Sequence, residues 1–424
     1  MHVTVAEYRA FCRALSIVVL NNWAALNQAP SFAAAVERLI HPTKQNPSPR
    51  HAYFHRRFYK FPSYLRRAAI EFVRGQVASY LMRERSWRSG ERSRRYARPP
   101  RFNPAAGCFP PLYRGQLLTF EDDYRTAWVK LFDGREWCWH TMPVKPRGSR
   151  HWRGEIKSPS LIIGHGRCHL SVPVRLRPPR LPDRGRACGV DLGINTLATA
   201  SVVQSDGTVT ARRFIHRAAD IDRRDRRATA IRGKARKTGR LQAGFCKSLY
   251  RKAANINEDM AQKSAREIVD FALAEGADVI ALEDLKHFRP RGGRRRSGLR
   301  QRFHGWLHRR LADLIEAKFA EVGGRTVYVY PRGTSIWAFD GSGRVKRDKA
   351  NAALATFASG KRYNADLNAS YNIAARYWAW RLQLTRRKDG QLPAGRSPAG
   401  KPRMPVTLST LWGREGEAPH QCSA

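Results

Sequence analysis

Acid is scarce in this chain. Over 424 residues, 34 Asp and Glu stand against 79 Lys and Arg, a formal net charge of +45. A compact fold carrying so much charge of one sign repels itself, so a polyanion is the expected partner; on charge alone a ribosomal or other structural nucleic-acid binder would fit. Cysteine is sparse and unpatterned: Cys12, Cys108, Cys138, Cys168, Cys188, Cys246 and Cys422 form no CxxC pair. That excludes a zinc ribbon and a disulfide framework and fits a reduced cytosol. Long apolar runs are missing too. Leu15-Ser16-Ile17-Val18-Val19-Leu20 falls far short of the roughly 20 residues a bilayer requires, and Tyr8-Arg9-Ala10-Phe11 interrupts any signal-peptide pattern. The expectation is a soluble cytoplasmic protein with no membrane partner.

Common catalytic signatures are absent as well. Ser359-Gly360-Lys361-Arg362 lacks the earlier Gly and the closing Ser/Thr of a Walker A loop, and no HExxH occurs. His304 and His308 are spaced i,i+4 but flank Trp306 with no third ligand nearby, and read as surface or packing residues.

What is present predicts a multidomain α+β chain. Residues 1–107 read as helical: Phe32, Val36, Leu39 and Ile40 recur at helix spacing, and a stripe runs from Tyr64 and Leu65 to Leu81 and Met82. The aromatic and basic run Tyr53–Phe61 reads as helix packing, with base stacking as the alternative. Arg83–Arg101 reads as a solvated linker. Residues 108–183 change to short strands separated by turn signals such as Asp133-Gly134, which suggests an antiparallel barrel or sandwich. Residues 184–388 read as α/β: a strand and hairpin partner, two long helices, strands at 278–285 and 326–330, and a helix opening at Asp366. The tail, 389–424, is rich in Pro, Gly, Arg and Ser and is predicted to be disordered.

Three acids carry the case for an enzyme. Asp191 in Gly189-Val190-Asp191-Leu192-Gly193-Ile194-Asn195 and Glu283 in Val279-Ile280-Ala281-Leu282-Glu283 sit at the ends of apolar strands, where open α/β sheets bind ligands. Asp366 begins a helix. If the three converge, they form a negative pole in a very basic protein that would be costly without divalent cations. Two magnesium ions about 3.5–4 Å apart suit phosphodiester hydrolysis. Each acid also has a plainer reading: Asp191 as a turn former, Glu283 as a helix cap or the partner of an Arg, Asp366 as an N-cap. Asp284 rivals Glu283, since strand alternation turns only one of them toward the centre. Basic side chains that could track a phosphate backbone are Arg223, Arg224, Arg226, Arg227, Arg232, Arg236 and Arg240 on the first long helix, and Arg294, Arg295 and Arg296 in a basic segment read as a mobile loop.

These stretches, with Asp366-Leu367-Asn368-Ala369-Ser370-Tyr371-Asn372-Ile373-Ala374 as a third motif and Pro331-Arg332-Gly333-Thr334-Ser335 before it, resemble the RuvC motifs of transposon-encoded TnpB proteins and the small type V CRISPR effectors. The resemblance covers about residues 110–382. It implies an RNase H-like (RuvC) nuclease domain with Asp191, Glu283 and Asp366 as catalytic and magnesium-binding acids, manganese being able to substitute. It further implies a strand-rich wedge domain, a reduced helical recognition domain, a guide RNA, a target DNA duplex read at a short flanking motif, and an RNA–DNA heteroduplex. The setting it implies is the prokaryotic cytosol or nucleoid, in antiviral defence or beside a transposon, and a homo-oligomer is left open. The family commonly carries a zinc knuckle where residues 333–363 lie. Here Trp337, Asp340, Thr356 and Ser359 stand at the thiolate positions, so no zinc is expected and the insertion must be held by packing or by nucleic acid.

The leading reading is an RNA-guided, magnesium-dependent DNA endonuclease with one active site. The alternative is an RNA-guided DNA binder that cuts little or not at all, favoured by the altered insertion. A guide-independent structure-specific nuclease would not need the N-terminal regions.

Overall fold

The computed structural model describes residues 1–145, 154–164, 167–239, 241–242, 244–286, 307–348, 350–384 and 406–412. The chain divides into two compact units, Met1–Leu176 and Arg177–Ala424.

In the first unit, helices α1 (His2–Asn21), α2 (Trp23–Gln28), α3 (Phe32–Ile40), α4 (Tyr53–Arg57) and α5 (Ser63–Arg88) precede seven short strands. Strands β1 (Leu118–Phe120), β2 (Thr126–Phe132) and β3 (Trp137–Pro143) form an antiparallel sheet. Strands β4 (Glu155–Ile156) and β7 (Val174–Arg175) pair with each other, as do β5 (Ser160–Gly164) and β6 (Arg167–Ser171). Among the described residues these pieces do not close into the barrel that the turn spacing suggests. Strands of two or three residues pair too little backbone to close one.

Nor do the helices and strands of this unit keep separate cores, although the sequence reading divides them at residue 107. Leu15, Val19, Leu65, Ile70 and Val73 pack in one cluster with Leu117, Leu118, Ala127, Val129 and Leu131. Each layer covers the apolar face the other cannot bury alone. The aromatic run packs as well: Phe54, Phe58 and Phe61 lie 5.3, 5.0 and 4.3 Å from the Phe11 ring, centroid to centroid. Helix α5 continues to Arg88, into the stretch read as linker.

The second unit is built on a five-stranded sheet. Its strands are β8 (Arg186–Asp191), β9 (Thr196–Gln204), β10 (Val209–His216), β11 (Val279–Glu283) and β12 (Arg325–Val329), in the order β10-β9-β8-β11-β12. The β8–β9 and β9–β10 pairs are antiparallel, and β8, β11 and β12 run parallel. Helices α6 (Ala218–Thr238) and α7 (Lys247–Ala274) connect β10 to β11, and α8 (His308–Ala320) precedes β12. The topology resembles the RNase H-like fold.

Strand alternation divides the core. Cys188, Val190, Ile280 and Leu282 face the α7 and α8 side with Met260, Ile268, Leu311 and Ile315. Ala187, Val279, Ala281 and Val329 face α9 (Ala365–Arg381) with Tyr371, Ala374 and Trp378. Gly189 makes the second packing possible: a β-carbon there would lie 2.3 Å from the Ser370 carbonyl oxygen and 2.7 Å from the Ala374 nitrogen, so only glycine lets α9 come this close.

The insertion holds three short strands, β13 (Lys346–Arg347), β14 (Leu354–Thr356) and β15 (Arg362–Asn364), and β15 leads directly into α9. Residues 406–412 depart from the predicted disorder of the tail: Val406, Leu408 and Leu411 are buried in the α9-side core. Among the described residues no helix is long and apolar enough to cross a membrane.

Candidate active site

Period two settles which acids share a face. Asp191 has the parity of Ala187 and Gly189, and Glu283 that of Val279 and Ala281, so both carboxylates turn to the side covered by α9. β8 and β11 are adjacent and parallel, with Val190 beside Leu282, which brings the two acids to neighbouring positions at the carboxyl ends of both strands. Asp284 has the opposite parity and is exposed. Its N–H is spent on the Val329 carbonyl and its Oδ1 accepts the Lys286 N–H.

Asp366 sits in the first turn of α9, above the strand ends. It does not cap the helix: Asn364 does, its Oδ1 accepting the N–H groups of Asp366 and Leu367 at 2.9 and 3.0 Å. The Asp366 carboxylate is thereby left to project.

The electrostatics agree with this placement. Burial, then the nearby Glu283 and Asp366 charges, push the Asp191 carboxyl well above the ordinary range. Burial also raises Glu283, opposed by a hydrogen bond from the Thr334 hydroxyl and by the Arg376 charge. Asp366 is raised by burial and opposed by Arg347 and His216. Asp191 feels both of the other acids, and all three are raised chiefly by burial; carboxylates are hard oxygen donors of the kind a divalent cation takes. All three keep partial solvent access.

A tighter group of metal-type donors lies elsewhere. Among the described residues, Asp133, Glu136 and Cys138 at the β2–β3 turn are the one group of three whose donor atoms all fall within 4.8 Å of one another. They could coordinate a divalent ion, but Asp133 Oδ1 already accepts the N–H groups of Arg135 and Glu136 at 2.6 and 2.9 Å, as an ordinary turn would arrange.

Sequence reasoning placed Thr334 within the matched stretch 331–335 but gave it no role, and did not find Arg376 or Arg347. Arg376 is 1 % exposed and donates to the carbonyls of Tyr330 and Arg332, the latter at 3.0 Å, which fixes the turn that carries Thr334. The signal was an arginine within the otherwise apolar Ala374-Ala375-Arg376-Tyr377-Trp378. Arg347 bonds the Ala352 carbonyl at 2.9 Å, and the neighbouring Ala353 carbonyl accepts the N–H of Ala365, next to Asp366.

Of the basic candidates, Arg226, Arg232 and Arg236 are exposed on α6. Arg223 is exposed and bonds Asp220 at 2.9 Å, and Arg227 donates to the Arg223 carbonyl at 2.7 Å. Arg224 differs: it is 6 % exposed and paired with Asp225. Arg240, Arg294, Arg295 and Arg296 lie outside the described residues, as does the basic segment read as a loop.

Comparison with known proteins adds the following. The Aq_aa04 family model matches residues 1–133, spanning helices and first strands alike. The TnpB-like protein aq_aa05 of Aquifex aeolicus (strain VF5) is 32% identical over 159 residues, 36% of this chain and 52% of that protein. The CRISPR-associated endodeoxyribonuclease Cas12f1 of Sulfoacidibacillus thermotolerans is 26% identical over 221 residues, 49% of each. The chain is homologous to TnpB- and Cas12f-type proteins at low identity and over part of its length. It spans about half the length of these relatives. A cryo-EM structure of a Cas12f1–sgRNA–target DNA complex shares the fold, with a TM-score of 0.51 at 12% identity, covering 88% of this chain and 83% of that one.

Proposed function

We propose that the chain is an RNA-guided DNA endonuclease that hydrolyses phosphodiester bonds at a single RuvC-like site formed by Asp191, Glu283 and Asp366. What supports this reading is strand parity, which gives Asp191 and Glu283 the face covered by α9, the adjacency of β8 and β11, and the place of Asp366 in the first turn of α9.

On this reading the three carboxylates would hold two magnesium ions, for which manganese could substitute. When bound, the ions supply Lewis-acid activation of the attacking water and neutralise charge at the departing 3′ oxygen. The protein's own part is orientation and charge. Thr334 fixes the Glu283 carboxylate, Arg376 fixes the turn carrying Thr334, and Arg347 offers positive charge to an approaching phosphate. Arg223, Arg226, Arg227, Arg232 and Arg236 hold nucleic-acid backbone, with Arg240, Arg294, Arg295 and Arg296 as further candidates. A guide RNA paired with target DNA supplies sequence choice, and a flanking motif is read on duplex DNA. The Met1–Leu176 unit takes the recognition and wedge roles.

The test is cleavage of a plasmid library randomised beside the target, using protein co-expressed with its native flanking RNA. Cutting that needs guide match, a flanking motif and magnesium is the expected result. The replacement of four thiolates by Trp337, Asp340, Thr356 and Ser359 favours a second reading, a programmable DNA binder. Guide-dependent binding without magnesium-dependent cutting would establish that reading instead.

A further inference from the structure

The insertion lacks thiolates and has little regular structure of its own. Its strands are two or three residues long, below what a sheet needs to stand alone. Internally it is joined by a Ser359 Oγ to Asp340 Oδ2 hydrogen bond of 3.0 Å and by Phe339, whose ring meets those of Phe357 and Tyr363 at 5.4 and 5.1 Å, and also that of Tyr371 on α9 at 5.2 Å. α9 holds it directly, Asn368 Oδ1 accepting the Phe339 N–H at 2.7 Å and Asn368 Nδ2 donating to the Trp337 carbonyl at 2.9 Å, and further support comes from far along the chain.

Val406-Thr407-Leu408-Ser409-Thr410-Leu411-Trp412 is an apolar island in a stretch otherwise rich in Pro, Gly, Arg and Ser. It folds as a 3₁₀ turn at Leu408–Leu411, closed by a reciprocal capping box between Thr407 and Thr410. Val406, Leu408 and Leu411 are 1, 2 and 0 % exposed. The segment reaches three places. Its Ser409 N–H donates to the Phe339 carbonyl in the insertion at 2.9 Å. Its Leu408 N–H donates to Asn372 Oδ1 on α9 at 3.2 Å. The Trp412 ring meets Phe339 at 6.5 Å and lies so close to Gly207, in the β9–β10 turn, that a β-carbon there would be 2.8 Å from it. Gly341 is close to the segment in the same way: its φ is +76°, and a β-carbon would lie 2.5 Å from Ser409 Oγ.

Asn372 connects this support to the acids. The side chain that accepts from Leu408 donates through Nδ2 to the carbonyls of Thr334 and Trp337, both at 2.9 Å. Thr334 in turn donates its hydroxyl to Glu283. A continuous path of hydrogen bonds therefore runs from the segment to a candidate metal ligand.

We propose that Val406–Trp412 is an internal clasp that fastens the thiol-free insertion to α9 and the sheet, and that it is a positioning element for the nuclease centre through Asn372 and Thr334. The second half rests on the nuclease reading; the first does not.

The experiment compares the full chain with a chain ending at Pro405 and with Leu411→Ala and Leu411→Ile, each loaded with guide RNA. Two quantities are measured. One is hydrogen exchange at the insertion amides of Ala338, Val345 and Phe357, which bond within the insertion, against those of β8 and β11. The other is the single-turnover cleavage rate at saturating DNA, together with guide-dependent DNA affinity. Losing the clasp should speed exchange at the insertion amides about tenfold or more while β8 and β11 stay protected. It should slow cleavage by about 10–100-fold with DNA affinity unchanged, as loss of groups that orient metal ligands does. Leu411→Ile should restore both.

Insertion amides that stay protected without residues 406–424 would overturn the clasp. Loss of protection at β8 and β11 together with the insertion, in Leu411→Ala as well as in the shortened chain, would make the segment ordinary core and overturn it too. Faster insertion exchange with unchanged cleavage would overturn the positioning role alone. A full chain that never cuts would refute the nuclease reading, and exchange would still decide the clasp.

Discussion

Two groups of potential metal ligands each hold an Asp and a Glu but differ in nearly everything else. Asp133, Glu136 and Cys138 lie on a hairpin turn, close together, the acids exposed and the aspartate already satisfied by backbone N–H groups. Asp191, Glu283 and Asp366 come from two strand ends and a helix, distant in sequence, with burial disfavouring the charge of each and the other two acids adding to it at Asp191. The difference teaches that donors can be brought near one another by a local turn or by the fold, at unequal electrostatic cost. Local sequence brings the first group together at little cost, whereas on the proposed reading the fold assembles the second against a burial penalty that a divalent cation would offset.

The contrast can be broken by mutation. Asp366→Ala should lower guide-dependent cleavage by about a thousandfold or more, while Glu136→Ala leaves it unchanged; rates measured at equal DNA occupancy check both. Next in size is the support of Glu283. Thr334→Val should slow cleavage about 10–100-fold and raise the magnesium concentration needed for half-maximal rate, and Thr334→Ser should restore both.

Gly189→Ala should destabilise the second unit by about 1–3 kcal/mol or more in denaturant unfolding, because its methyl group meets the backbone of α9. The smallest effect is one of pH. All three acids are raised in the metal-free folded state, so that state holds more protons than the unfolded chain above the ordinary carboxylate range, and stability falls as pH rises from about 4 through the raised values. In EDTA, Asp191→Asn should therefore melt higher than the parent, with the gap widening from pH 4 to pH 8. Magnesium at pH 8 should raise the parent's melting temperature and leave Glu136→Ala equally responsive.

Much of the second unit was legible in the sequence because its elements are long and strongly patterned. Apolar β8 and β11, the i,i+4 series Met260, Ser264, Ile268 and Ala272 of α7, and the opening of α9 all follow from patterning. The rivalry between Glu283 and Asp284 needed only parity and the strand's true end. Thr334, Arg376 and Arg347 were not legible as parts of the site, since each acts through a turn or short hairpin whose geometry is set by tertiary contacts. The same holds for Leu408 and Leu411, whose seven-residue island is too short to show a period. In the first unit, composition distinguished helices from strands but not that Leu15 and Val19 would share a core with Leu118 and Val129, because patterning tells which face is apolar and not what covers it.

The most direct test is magnesium-dependent cleavage of a guide-matched plasmid by the parent, Asp191→Ala and Glu136→Ala at equal guide-dependent DNA occupancy. The account predicts that Asp191→Ala abolishes cutting and Glu136→Ala cuts like the parent. Undiminished cutting by Asp191→Ala, or its loss in Glu136→Ala alone, would contradict it.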